Sequence, residues 1–439
     1  MDRAIDDPTM QAAGSTMTRD PAKLKAELLQ AVDARRDEIL ALLQRFLRIK
    51  SVNPPGDTRE AADFVRELLD KAGVPHRTEA FTPEMPNIIG RWETGNPGRH
   101  LVLNGHMDIF PVTNEKLWEA EIVDGKIMGR GAADMKTGTL ASILTYCWLY
   151  PYRGWLNGAL TLTVVSDEQS GGRYGTKFLF DNFESEMVGD CCLNGEPSGL
   201  SNLRFTEKGT LRFSLSAKSI GGHGGYSHRA RNPIADVSRL VNLIYDRYHL
   251  KLATLPPEID AVLTSPETIA AADHNLGKGA ADIARRITVN VGIMQGGQKA
   301  TQIPTHCIAH LDMRVPIGSD RDAIRADLEA LAREADCEMV VNEDHSYPAS
   351  LTDPFSEMAN ILRGNIRDLL GHDAPPVSSL GGTDTRYWRW RGVPALICGP
   401  SPISMGTDEE HATLEEVIAV MKLHIACAID YLGSAGAKA

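Results

Sequence analysis

The chain has 439 residues, 42% hydrophobic and 24% charged, the make-up of a globular protein with too much chain for one ordinary core. Its 46 basic and 58 acidic residues leave a net charge of −12, which argues against nucleic acid or an anionic membrane surface as partner, since both want clustered Lys and Arg. No run of about 18 apolar residues marks a membrane span, and the N-terminus lacks the basic and apolar regions of a secretory signal.

Residues 1–20 read as a disordered tail. Asp20-Pro21, a cap followed by a first-turn proline, opens apolar residues at helical spacing that predict one helix up to "SVNPPGD". "TREAADFVRELLDKAG" is a second amphipathic helix, closed by Gly73. "NIIGRWE" and "RHLVLNGHMDIF" read as strands. A glycine-rich turn, "GKIMGRGAADMKTG", and a buried helix, "TLASILTYCWLY", come next. "GALTLTVVSDE" is a strand, "GRYGTKFLFDNF" a helix, and "DCCLNGEPS" a short strand ending at Glu196-Pro197. This alternation predicts an α/β sheet with its active groups at strand C-terminal ends.

The pattern changes near Glu207. "GTLRFSLSAKSIGG" alternates in period two, then a helix, a strand pair, a capped helix and the strand "CEMVVNED" follow. That β-α-β-β-α-β order is the ferredoxin-like split unit, an α+β domain over 208–347 inserted into an α/β domain made of 21–207 and 348–439. The later segments "DPFSEMANILRGNIRDLLG", "VPALICGP" and "TLEEVIAVMKLHIACAIDYLG" resume the α/β pattern as helix, strand and helix. The seven cysteines are odd in number, sit among apolar neighbours and form no CxxC, as expected of reduced thiols in a cytoplasmic protein.

Each candidate for chemistry has two readings. His106 and Asp108 lie two apart at a strand end, either as a metal ligand with its orienting carboxylate or as a surface pair. Asp134 is a ligand or a helix cap. Glu168 and Glu196 each end a strand, as a partly desolvated base or ligand or as a loop acid. His223, between glycines, is an oxyanion donor or an exposed loop histidine, and His411 a ligand or a helix-start residue. Arg314 holds a substrate carboxylate or a surface ion pair. Taken together, His, Asp and Glu at successive strand ends are what one or two divalent ions need.

The motifs "GHMDIFPV", "GRGAADMKTG", "SDEQSGG", "GEPS", "GGHGGYSHRARNPI", "GGTDTRYW" and "EEHATLEE" occur in one order. In that order the chain resembles the co-catalytic zinc hydrolases that include aminoacylase, carboxypeptidase G, acetylornithine deacetylase and succinyl-diaminopimelate desuccinylase. The resemblance runs from about residue 25 to the end. It implies a zinc-peptidase-like catalytic domain with a mixed sheet between helices, and an insertion that acts as lid and makes a homodimer. It implies that His106 and Glu196 hold one metal, Asp134 bridges two, His411 holds the second, Asp108 orients His106 and Glu168 is the general base. His223 would stabilise the oxyanion, in its own or the partner's site. Arg314 would take a substrate carboxylate, with Gly381, Gly382, Thr383 and Thr301 on the substrate side.

Two positions depart from the family. Gln169 stands where most members have a glutamate ligand of the second metal, and Thr301 where most have asparagine. An amide oxygen is a weaker ligand than a carboxylate, so one tight ion (zinc, manganese or cobalt) is expected, with the second position weak or empty. A one-residue slip, with Asp167 as base and Glu168 as ligand, would turn both side chains to the other face. The implied activity is hydrolysis of a C–N bond, the amide of an N-acyl amino acid or small peptide-like carboxylate. The altered residues leave two alternatives: a deaminase of activated aromatic amino acids at a single metal, with "TRYWRWRG" near the ring, or a degenerate dimeric scaffold.

Overall fold

A computed structural model describes residues 20–434; the expected tail lies outside them, except Asp20, which caps the first helix by accepting from the Ala22 and Lys23 N–H groups. The single long helix expected there is two, Pro21–Ala34 and Arg36–Leu47, broken at Arg35. The break lets Leu24, Leu28 and Val32 on one segment, and Ile39, Leu43 and Phe46 on the other, each turn inward.

A nine-stranded mixed sheet organises the catalytic part. Its centre is three parallel strands, with His100–His106 flanked by Ala159–Val165 and Cys191–Asn194. Ala395–Ile397 continues that parallel set, while Pro86–Glu93 and Arg77–Ala80 close the other edge antiparallel. The central strands are buried on both faces, because the wholly buried helix Lys136–Leu149 and the helix Leu414–Gly433 cover one side and Thr176–Met187 the other. Thr413 and Glu416 form a capping box that starts the last helix. His106, Glu168 and Glu196 all lie at or just beyond the C-terminal ends of the three parallel strands, where an open α/β sheet leaves a crevice.

The second sheet runs Thr288–Gly296, His306–Val315, Gly209–Lys218 and Glu338–Val341, antiparallel throughout. The helices Pro233–Tyr248 and Arg321–Glu334 pack on one face around Leu211, Phe213, Ile244, Met313 and Leu328. This is the expected ferredoxin-like unit. Part of 208–347 does not belong to it. The helices Pro257–Leu263, Pro266–Leu276 and Ala280–Ala284 pack on the catalytic sheet, Ile259 and Leu263 against Phe205, Ala272 and Ala281 against Val377. Thr268 Oγ1 also donates to Pro376 O at 2.9 Å. These helices are short, the first two started by proline and the third by Gly279, and only contact with the sheet gives them a buried face.

Candidate metal-hydrolase site

The strand ends converge on His106. Its Nε2 lies 3.1 Å from Asp134 Oδ1, 3.5 Å from Glu196 Oε1 and 4.0 Å from Glu168 Oε2. One ligand atom from each of His106, Glu168 and Glu196 falls within 4.8 Å of the others. All four side chains are buried or nearly so. Glu196 Oε1 is buried with no hydrogen-bond partner among the described residues. Three acids around one imidazole, with an orphan carboxylate oxygen, are a donor set suited to a divalent cation.

The electrostatics point the same way. Burial disfavours the charged form of His106, but its bonds to Asp108 and Asp134, with the Glu196 charge, outweigh that and raise its pKa well above 6.5. The pull on positive charge at Nε2 is the pull a cation would feel. Burial pushes the Glu168 carboxyl up to about 8, with Asp384 and Asp134 adding and His106 and Arg386 opposing. Burial and the Asp134 and Glu168 charges raise Glu196 well above the usual carboxylate range.

His106 Nδ1 lies 2.8 Å from the Asp108 backbone oxygen and 3.4 Å from its carboxylate. Asp108 therefore fixes the ring chiefly through its carbonyl. Its carboxylate accepts the N–H groups of Glu168 at 3.2 Å and Gln169 at 3.0 Å, and the Asn53 amide at 2.9 Å. It thereby holds the turn that presents Glu168. Asp167 faces away from the cavity, accepting from Tyr174 N and Asn53 Nδ2. The slipped assignment finds no support in that arrangement. Gln169 turns its amide nitrogen to Asp134 Oδ2, donating at 2.9 Å.

A cavity of about 370 Å³ opens over the cluster, lined by Asp134, Glu168, Gln169 and Glu196, by Arg314, and by Gly381, Gly382 and Thr383. His411 stands outside the cluster. Its Nδ1 lies 2.7 Å from Glu409 O, which leaves Nε2 as the free nitrogen. His223 and Thr301 lie on the exposed surface of the inserted unit, where His223 pairs with Gln302 and Gly224 N donates to Thr301 O. Neither lines the cavity.

Three further residues had no clear mark in the sequence. Arg386 donates to Thr383 O and Gly171 O and stands 3.9 Å from Glu168. It belongs to "TRYWRWRG", whose Trp388 is packed in the core with Nε1 on Met187 O. Tyr347 packs under the Arg386 guanidinium, 4.6 Å from ring centre, and lines the cavity. Glu410, beside His411, accepts the N–H groups of Gly131, Ala133 and Asp134 and pairs with Arg130. It ties the Asp134 turn to the loop that carries His411.

Residues 102–430 match the model of peptidase family M20/M25/M40. The chain belongs to that family. It is a metal-dependent hydrolase of carbon–nitrogen bonds. This M20 chain is 25% identical over 407 residues to a succinyl-diaminopimelate desuccinylase of Cereibacter sphaeroides, covering 89% of this chain and 98% of that one. Its fold is similar to an M20 family metallo-carboxypeptidase from Sulfolobus solfataricus, with a TM-score of 0.76, 18% identity, and 90% and 99% of the two chains covered. It is also similar to the di-peptidase Dug1p of Saccharomyces cerevisiae, with a TM-score of 0.75, 15% identity, and 96% and 100% covered. No helix among the described residues is long and apolar enough to cross a membrane.

Proposed function

We propose that this M20 hydrolase cleaves the amide of an N-acyl amino acid or a small peptide-like carboxylate, with Glu168 as general base. The observation that carries the reading is the position of Glu168. Its desolvated carboxyl stands at the rim of the His106–Asp134–Glu196 cluster, in the same cavity as Arg314. His106, Glu196 and Asp134 would hold the ion, which when bound supplies Lewis acidity that polarises a carbonyl and brings a water's pKa toward neutrality. Glu168 takes the proton of the attacking water and returns it to the leaving nitrogen. Arg314 orients the substrate carboxylate, and Thr383 with Gly381 and Gly382 borders the substrate on the other wall. His223 is exposed on its own chain, which supports a role in the site of a second copy. The exposed edge strand Thr288–Gly296, with Ile293 and Met294 open to solvent, supports the insertion as the homodimer surface.

The bond from Gln169 to Asp134 supports one tight ion. It occupies the Asp134 oxygen that a bridging role would use and sets a neutral amide where a second ion wants charge. Elemental analysis of protein purified without added metal then gives about one ion per chain; the identity (zinc, manganese or cobalt) comes from the same measurement. All seven cysteines are free and buried, which supports a reducing, cytoplasmic setting. A panel of N-acyl amino acids and dipeptides, assayed with wild type and Glu168→Ala, tests the reading. Turnover that survives Glu168→Ala would sink the general-base assignment. No turnover of any amide would sink the substrate class and turn the search to other carbon–nitrogen bonds.

A second reading is hydrolytic loss of the amine from an activated aromatic amino acid. The single-ion arrangement favours it, as do Tyr347, Phe110 and Met405 on the cavity wall. Ammonia release from ring-activated aminobenzoates, absent with Glu168→Ala, is its readout.

A further inference from the structure

Four arginines line the cavity: Arg204, Arg212, Arg314 and Arg386. Three have acid partners. Arg314 Nε and Nη2 donate to Asp312 Oδ2 at 3.1 and 2.7 Å, and Arg212 stands 3.7 Å from Asp312 Oδ1. Arg386 stands 3.6 Å from Asp384 and 3.9 Å from Glu168.

Arg204 differs. It is only 3% exposed. Its Nε donates to Asn202 Oδ1 at 2.7 Å, and Nε and Nη2 donate to Ser198 O at 3.2 and 2.9 Å. All these acceptors are neutral, and no carboxylate pairs with it among the described residues. Burial alone pushes its pKa down to about 9, which leaves the guanidinium charged at neutral pH. A buried charge without a counter-charge costs folding free energy that carbonyl and amide oxygens repay only in part. A brace for the Ser198 turn needs a donor and no charge. The charge itself calls for an anion, and the cavity is where Arg204 can meet one. Its place in the fold fits. Arg204 follows the Glu196–Pro197–Ser198 turn on the strand Leu203–Glu207, beside the ligand cluster, whereas Arg314 comes from the inserted unit.

We propose that Arg204 is a specificity-determining residue that binds a second carboxylate of the substrate. The preferred amide then carries two acidic groups, one at Arg314 and one at Arg204. The inference rests on the amide-hydrolase reading and narrows its substrate class. The second carboxylate belongs either to the acyl chain or to the amino-acid side chain, and the chemistry that Arg204 reads is the same.

The test compares N-acetylglycine, N-acetylaspartate and N-succinylglycine on the metal-loaded enzyme, in wild type, Arg204→Met and Arg204→Lys. At least one of the two diacids should have kcat/KM about ten- to a hundredfold above N-acetylglycine, the range of a charge-assisted hydrogen bond. Arg204→Met should erase that ratio through KM, the diacids losing more than N-acetylglycine, and Arg204→Lys should restore part of it. An equal loss on all three substrates would make Arg204 a structural brace and overturn the proposal, as would an unchanged ratio.

A binding measurement separates this from the parent reading. Glutarate should raise the melting temperature of wild type more than butyrate does, and Arg204→Met should abolish the difference. Equal effects of the two acids on wild type would overturn the subsite even if monoacid amides are hydrolysed. Hydrolysis of none of the amides, with the glutarate effect present and lost in Arg204→Met, would overturn the amide-substrate reading and leave the subsite standing.

Discussion

Replacing Glu410 by Gln should destabilise the fold and loosen the metal cluster together. The Glu410 carboxylate is fully buried and takes five donors. Oε1 accepts Gly131 N at 2.9 Å and the Ala133 and Asp134 N–H groups at 3.1 Å. Oε2 accepts Gly406 N at 3.1 Å and pairs with Arg130 Nη1. Glutamine offers one acceptor oxygen and one NH2 donor. If the oxygen keeps the three loop N–H groups, the NH2 faces Arg130 and Gly406 N–H, donor against donor. If it turns, the Asp134 turn loses its anchor. Breaking a buried ion pair by removing one partner costs about 3–5 kcal/mol. Arg130 keeps longer bonds to Pro111 O at 3.2 Å and Gly406 O at 3.4 Å. The expectation is therefore the lower end, about 3 kcal/mol. Equilibrium urea unfolding of wild type and Glu410→Gln measures it, and metal content after dialysis reads the second effect. A variant within about 0.5 kcal/mol of wild type, with its metal retained, would refute the assignment of Glu410 as the anchor of the Asp134 turn.

Glu168→Ala should lower kcat by about 10²–10⁴-fold, the worth of one positioned general base, with the fold and metal content unchanged by circular dichroism and elemental analysis. Gln169→Glu replaces the donor to Asp134 by an anion and should take up a second ion, counted by mass spectrometry on the metallated chain; an unchanged count would mean that the Gln169–Asp134 bond does not set the stoichiometry. Lys208, whose buried Nζ has no hydrogen-bond partner among the described residues, is pushed down to about 7 by burial, with Arg314 adding. The unfolded chain binds this proton more readily than the folded one, so the penalty is full below about pH 7 and fades toward the unfolded pKa of 10.5. Lys208→Met should therefore raise the melting temperature most at or below pH 7 and have little effect near pH 10; a gain that is independent of pH would show that the proton is not its source.

Much of the site was legible because its residues sit at the ends of local patterns. "LVLNGH", "TLTVV" and "CCLN" are apolar runs that must be buried strands, and His106, Glu168 and Glu196 come at or just after them. The inserted unit was legible because Gly209–Lys218 alternates buried with more exposed positions from Leu211 onward. The excursion of residues 257–284 was not, since three short helices carry little periodicity of their own and their buried faces are supplied by Phe205 and Val377. Arg386 was hidden in an aromatic run whose Trp388 is core packing.

By itself the sequence determined the kind of fold, the order of its elements and which acids and histidines stand at strand ends, because strand and helix periods are local and the chain must bury their apolar faces. Only the tertiary structure decided who partners whom. It set Arg130 against Glu410 across 280 positions of chain, turned the Gln169 nitrogen onto Asp134, and left Arg204 inside without an acid among the described residues while giving one to Arg314. It also carried His223 and Thr301 away from the cavity of their own chain. The free energy of a charge depends on what lies within a few ångströms of it, and those neighbours come from distant parts of the chain.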